Sequence, residues 1–236
     1  MTDPRDETQA VVARYARRGP GSLYSPLRPE VWLGLQERQR ALLQGLAARG
    51  CTDLSTLSVA EVGCGTGGNL LELLRLGADP ARLTGLELLP ERHAAAQRVL
   101  PPDTTLWLGD AVQVPETVLP IASQDLVLQS TVFSSLLDDA FQAKLAQAMW
   151  AWLKPGGAVI WYDFAFDNPR NADVQGMPMA EVRRLFPAAT IDSRRVTLAP
   201  PLARSAARLH PVLPALLNTL PLLRTHRLAW IAKPDV

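Results

Sequence analysis

Residues 61–68, Glu61-Val62-Gly63-Cys64-Gly65-Thr66-Gly67-Gly68, form the stretch whose types and spacing say most about chemistry. The glycines offer bare backbone to an approaching ligand and allow positive φ without a Cβ clash. A short apolar run (Leu57, Val59, Ala60, Val62) precedes them, and a helical pattern from Asn69 to Leu74 follows, ending at Gly77. The expected local structure is strand, glycine turn, helix. Gly63, Gly65 and Gly68 also satisfy the dinucleotide-binding spacing G-x-G-x-x-G. Glu61 discriminates between ligands. A dinucleotide lays its pyrophosphate on the helix N-terminus, where N–H groups and the helix dipole favour an anion. A carboxylate at the strand end opposes that anion and suits a ligand with an amino group and a sulfonium.

A second acid, Glu87, ends the strand-like run from Arg82, about 20 residues beyond the glycines, where a carboxylate can accept both ribose hydroxyls of a nucleoside. A third, Asp110, follows the strand-like run Thr104–Leu108 within Gly109-Asp110-Ala111. A helix from Asp138 or Asp139 then leads into Leu153-Lys154-Pro155-Gly156-Gly157 and the apolar run 158–162. The acidic-x-G-x-G-x-G string, the three strand-end acids and the L-K-P-G-G element together resemble class I S-adenosylmethionine-dependent methyltransferases over roughly residues 57–163. The resemblance implies S-adenosyl-L-methionine as cofactor. It assigns the binding role to Glu61, Gly63, Cys64, Gly65, Thr66, Gly67, Glu87, Leu88, Gly109, Asp110, Ala111 and Gln129, with Asp110 accepting from the adenine amino group.

The elements that must hold these residues follow from pattern and resemblance. The expected fold is α/β, a Rossmann-like seven-stranded, mostly parallel sheet flanked by helices, with the last strand antiparallel. One domain is expected: an N-terminal helical cap (1–50), a cofactor-binding core (51–163) and a substrate-side part (164–236). In an open parallel sheet, ligands bind beyond the carboxyl ends of the strands. Whatever follows strands four and five therefore faces the methyl donor. The candidates for substrate binding are Tyr24 in the cap loop, Phe133 after strand four, and Asn168, Arg170 and Asn171 after strand five. A hydroxyl nucleophile benefits from a base within hydrogen-bond reach. His226, at the start of the last strand, and Asp163 are the candidates for that base. Residues 200–224, apolar and broken by prolines, leave three readings open: a pocket wall, a membrane or partner surface, or plain core, with the pocket wall preferred.

Composition narrows the function classes. The chain has 236 residues, 24 basic against 23 acidic, and a net charge of +1. No basic stripe announces nucleic acid. Two cysteines, Cys51 and Cys64, lack metal-ligand spacing and read as free thiols in a reducing, cytoplasmic setting. No His/Asp cluster calls for a metal. The N-terminus lacks the basic-then-apolar pattern of a signal peptide, and no apolar run is long enough to span a bilayer. The expected activity is methyl transfer to a small-molecule acceptor, at a hydroxyl oxygen of a sugar- or natural-product-like compound; a homodimer is compatible with it. Two alternatives stand beside it: a nicotinamide-dependent oxidoreductase, and a non-catalytic S-adenosylmethionine-binding protein.

Overall fold

The computed structural model describes residues 4–17, 25–169 and 171–235. Two helices come first, α1 (Pro4–Ala16) and α2 (Pro29–Ala48). The rest alternates: β1 (Val59–Val62), α3 (Gly68–Arg75), β2 (Leu83–Glu87), α4 (Pro90–Val99), β3 (Thr105–Leu108) and β4 (Gln124–Ser130). Then come α5 (Asp139–Trp152), β5 (Leu153–Phe164), α6 (Met179–Leu185), β6 (Thr190–Leu198), α7 (Pro200–Leu209), α8 (Leu213–Leu217) and β7 (Arg224–Ala232). Local chemistry sets several of these starts. Proline opens α2, α4 and α7, where its missing N–H costs nothing. Asp138 caps α5 by accepting from the Phe141 N–H at 2.7 Å.

The strands form one sheet in the order β3-β2-β1-β4-β5-β7-β6. β7 runs antiparallel to both β5 and β6, and the remaining strands are parallel to one another. β1 and β2 are buried along their whole length, as their near-continuous apolar runs require of strands covered on both faces. One core packs α5 and α6 against the sheet around Phe133, Met149, Trp161 and Phe186. The other packs α2, α3 and α4 against the opposite face around Leu70, Leu73, Ala96 and Trp230. The strand order reverses between β1 and β4, and the crevice beyond the carboxyl ends at such a point is where open α/β sheets bind ligands.

The Leu153–Gly157 segment ends α5 at Trp152 and is itself the first part of β5, so the strand starts before the apolar run 158–162. The register jumps from Gln124↔Leu153 to Leu126↔Ala158, so the extra residues bulge out of the ladder. Gly157 is needed there: a Cβ would meet the Asp125 carbonyl oxygen at 2.9 Å. Lys154 closes the bulge with a 2.7 Å ion pair to Asp125.

Two attachments place the helical cap. In α2, Gly45 lies against the indole of Trp230, with no room for a Cβ, and the Arg49 guanidinium stacks 4.3 Å above the same ring system. Arg194 of β6 donates to Gln44 at 2.6 Å and to the Ala41 carbonyl. These contacts hold Glu37 and Arg38 over the carboxyl edge of the sheet. α1 is tied to the loop after β4. Arg14 pairs with Glu7 at 2.5 Å and donates to the Ser135 carbonyl at 3.0 Å, and Glu7 accepts from the Leu137 N–H at 2.7 Å.

Candidate active site

Two cavities open at the carboxyl edge. The smaller, about 130 Å³, lies over β1, β2 and β3 and is lined by Gly63, Glu87, Leu88, Gly109, Asp110 and Ala111 together with Thr8 and Tyr15 of α1. The larger, about 320 Å³, lies between α2, α7, α8 and the ends of β5 and β7. Ser130, at the end of β4, lines the smaller cavity. Arg38, which donates to the Ser130 hydroxyl at 2.9 Å, lines the larger one. That bond joins the wall of one space to the wall of the other.

The glycine turn builds the first cavity. Gly63 sits at φ 64°, and a Cβ on it would meet Val132 at 2.7 Å. Gly65, at φ 60°, has only the Arg92 guanidinium near its Cβ side, at 3.9 Å. Its N–H donates to the Glu87 carboxylate at 2.7 Å, and the Leu89 N–H donates to the other oxygen at 2.8 Å. Glu87 is thus fixed at the cavity wall with lone pairs left over. Asp110 accepts from the Val112 N–H at 3.0 Å and from the Thr8 hydroxyl at 3.1 Å. Glu61 is fully buried, and its Oε1 accepts from the Asn69 side-chain amide. Its Oε2 is buried without a hydrogen-bond partner. Burial pushes its pKa up to about 7, against the pull of Asn69 and the Arg38 charge, while Glu87 pushes it further up.

An orphaned carboxylate oxygen behind a glycine turn would repel a pyrophosphate and attract an ammonium. Residues 59–157 match the family model described as "Methyltransferase domain". That stretch, from β1 into the start of β5, is the part of the chain that is similar to a methyltransferase domain. The solved structures similar to this chain include one from Mesorhizobium loti, a S-adenosylmethionine-dependent methyltransferase (17% identity, TM-score 0.60, 87% of this chain and 98% of that chain). Another is the 1,6-didemethyltoxoflavin-N1-methyltransferase of Burkholderia thailandensis, with 1,6-didemethyltoxoflavin and S-adenosylhomocysteine bound (20%, 0.63, 100% and 92%). A third is phosphoethanolamine N-methyltransferase 1 of Haemonchus contortus (14%, 0.66, 100% and 51%). At these identities they establish a common fold. No curated protein sequence matches.

The family's cofactor is S-adenosylmethionine, and the residues present fit it. Glu61 is buried beneath the turn and lines neither cavity; its orphaned Oε2 would be the partner of an α-ammonium that reaches past the glycines. Glu87 has acceptor capacity for ribose hydroxyls, and Gly63, Leu88, Gly109, Asp110 and Ala111 line the cavity with it. Gly65, Thr66 and Gly67 form the turn beneath, with Thr66 exposed. A nicotinamide dinucleotide does not fit the buried acid, so the oxidoreductase alternative is set aside.

Other expected site residues need correction. Cys64 is buried among Leu70 and Gly85, and burial pushes its thiol well up; it is core beneath the turn. Gln129, also buried, lines neither cavity: it accepts from the Val132 N–H at 3.0 Å and donates to the Tyr162 carbonyl at 3.4 Å, shaping the loop after β4. Phe133 is fully buried with its ring 4.4 Å from that of Trp161, so it is core, not a substrate contact. Asp163 lies within β5, fully buried, and accepts from the N–H groups of Ser134 (3.1 Å) and Phe164 (2.9 Å). Burial pushes its pKa up to about 6, but it lines neither cavity and cannot reach an acceptor there.

His226 is placed in the larger cavity, stacked on the Tyr162 ring at 4.9 Å and tilted against the Phe164 ring at 4.2 Å. Burial, with a lesser push from the Arg38 charge, lowers its pKa to about 3. So weak a base takes little of a proton in the transition state. It therefore serves as an aromatic wall rather than the general base. Asn168 and Asn171 lie in the loop after β5 and line neither cavity. Asn171 makes an Asx turn, accepting from the Asp173 N–H at 3.1 Å. Tyr24 and Arg170 lie outside the described residues.

Sequence reasoning missed Arg38, Asn69 and Ser130. Asn69 was the most legible, the second residue of the helix that follows the glycines. Arg38 gave no signal, because a charge on a helix is usually a solvated one, and only the docking of α2 turns it to the sheet. Among the described residues, no group of His, Cys, Asp and Glu is arranged to hold a metal, and no helix is long and apolar enough to cross a membrane.

Proposed function

We propose that this protein transfers a methyl group from S-adenosylmethionine to an oxygen of a small molecule bound in the larger cavity. The observation that carries this reading is the junction at Ser130, where the Arg38 hydrogen bond joins the wall of a cavity suited to the cofactor to that of a second, largely apolar one. When bound, the cofactor supplies an activated methyl group on a positively charged sulfur. The chain's task is then alignment and exclusion of water. Glu61, Asn69 and Arg38 form a connected relay from the cofactor side to the acceptor side, with Arg38 donating to the Asn69 side-chain oxygen at 2.6 Å. Tyr162, Phe164 and His226 offer packed rings on which a planar acceptor body can lie. α7 and α8 close the far side through Ala203, Arg204, Pro214 and Asn218, which favours the pocket-wall reading of residues 200–224.

Calorimetric titration with S-adenosylmethionine, S-adenosylhomocysteine and NAD(H) tests the cofactor half. Micromolar binding of the adenosyl ligands alone is expected; binding of NAD(H) instead would overturn it. Release of S-adenosylhomocysteine on incubation with small-molecule acceptors, product identified by mass, tests the transfer. A protein that binds the cofactor but turns over no acceptor would return to the non-catalytic alternative.

A further inference from the structure

The charges around the larger cavity do not balance. Its two carboxylates are both committed. Glu30 is paired with Arg28 at 2.9 Å, and Glu37 accepts from the Thr197 N–H at 2.6 Å and faces Arg224 at 3.5 Å. Its cations are not. Among the described residues, neither Arg38 nor Arg204 makes an ion pair, although both line the cavity and are half-buried. The direct partners of Arg38 are neutral, the Ser130 hydroxyl, the Asn69 amide oxygen and the Tyr162 ring face 5.1 Å away, and the buried Glu61 carboxylate, which feels its charge, is reached only through Asn69. A guanidinium carries more N–H donors than those bonds use, and its planar fork matches an oxyanion.

Among the described residues, the same cavity lacks a group able to take a proton from a neutral hydroxyl. The His226 imidazole, with its pKa lowered to about 3 by burial, is too weak a base. The Tyr162 hydroxyl, bonded to Thr197 at 2.8 Å and pushed up to about 12 by burial, stays protonated. Glu37 is occupied by the Thr197 N–H and Arg224. Asp163 is on the other face of the sheet, since it precedes Phe164, the residue paired with His226.

We propose that the acceptor enters this cavity with its nucleophilic oxygen already ionised, a carboxylate or an acidic phenol or enol, paired with Arg38, so that methylation requires no protein base. This rests on the methyltransferase reading and specifies its substrate class. The step balances without proton transfer. A lone pair of the anionic oxygen forms the new carbon–oxygen bond, the carbon–sulfur bond breaks, and its electron pair stays on sulfur. The acceptor's negative charge and the sulfonium's positive charge cancel, leaving a neutral ester or ether and a thioether. Arg38 sits between the two spaces and holds the oxygen on the side of Ser130. The product has lost the charge that bound it, which favours its release.

The test compares two probes of equal shape, 1-naphthoate and neutral 1-naphthamide, by calorimetry on the full chain saturated with S-adenosylhomocysteine. The expected result is at least about tenfold tighter binding of naphthoate, as a charge-assisted bond provides. In Arg38→Gln the preference should fall below about twofold, and Arg38→Lys should keep part of it because it keeps the charge. Equal binding of the probes to the wild type, failure of both to bind, or a preference that survives Arg38→Gln would each overturn the proposal. The wild-type comparison decides the matter even if Arg38→Gln does not fold. The S-adenosylhomocysteine titration that precedes it is read separately: its failure sinks the methyltransferase reading, whereas its success with no anion preference sinks only the acceptor class.

Discussion

Glu61 makes cofactor binding depend on pH in a way that can be worked out from its surroundings. In the free protein its pKa is raised to about 7, chiefly by burial, and Oε2 has no partner. A bound ammonium would supply that partner and favour the ionised carboxylate, pulling the pKa back toward the ordinary range. Binding then requires ionised Glu61, so below pH 7 each event must expel a proton. Affinity should be flat above pH 7.5 and fall toward tenfold per pH unit below 7, giving about tenfold weaker binding at pH 6 than at pH 8. Titrating S-adenosylhomocysteine in buffers of different ionisation enthalpy counts the protons, with close to one released at pH 6 and nearly none at pH 8. Glu61→Gln should abolish the slope and weaken binding at pH 8 by about 10- to 100-fold, the worth of a hydrogen bond to a charged group. An affinity that stays constant from pH 5.5 to 8, or a slope that persists in Glu61→Gln, would refute this account of the buried acid.

Three further outcomes are expected. Glu87→Ala and Asp110→Ala should each weaken S-adenosylmethionine binding by about tenfold or more while the far-ultraviolet circular dichroism is retained, since each removes a carboxylate from the cavity wall; unchanged affinity would sink the strand-end assignment. His226→Phe should preserve the ring stack and change turnover by no more than about threefold, whereas a general base would lose about 100-fold or more. Its acid stability should also rise. The His226 pKa is lowered in the folded state to about 3, so as pH falls below 6.5 the unfolded chain takes up a proton that the folded chain refuses. That loss reaches about 2 kcal/mol at pH 5, and chemical denaturation of the phenylalanine variant should lack it. Gly45→Ala should cost about 1–3 kcal/mol in thermal or urea unfolding, because the added methyl collides with Trp230 where α2 docks; a neutral result would mean α2 shifts at little cost.

The cofactor side of this protein was legible because its chemistry is local. Glu61, the glycines and Asn69 lie within nine consecutive residues, and a strand, a tight turn and a helix follow from their pattern alone. Glu87 and Asp110 are read the same way, each at the end of its own strand, and a parallel sheet brings strand ends to one edge whatever the rest of the chain does. The antiparallel last strand came from the family resemblance, and β7 has that direction.

The acceptor side was decided by tertiary structure. Asp163 and His226 are both read as candidates for one base because both border the carboxyl edge. Alternation along β5 and its pairing with β7 sends one side chain into each face of the sheet, where burial removes the first from any cavity and makes the second a poor base. Gln129 lies near the end of strand four's ladder and Phe133 just after it, yet both side chains point inward, where bonds to backbone and packing on Trp161 satisfy them. Arg38 is the converse. It lies 23 residues before Glu61 in an ordinary helical stretch, and it reaches the site only because Gly45 lets α2 lie flat on Trp230. Its charge has meaning only beside a cavity whose carboxylates are already paired. A strand-end acid carries its position in the local sequence, whereas an unpaired cation is a property of everything packed around it.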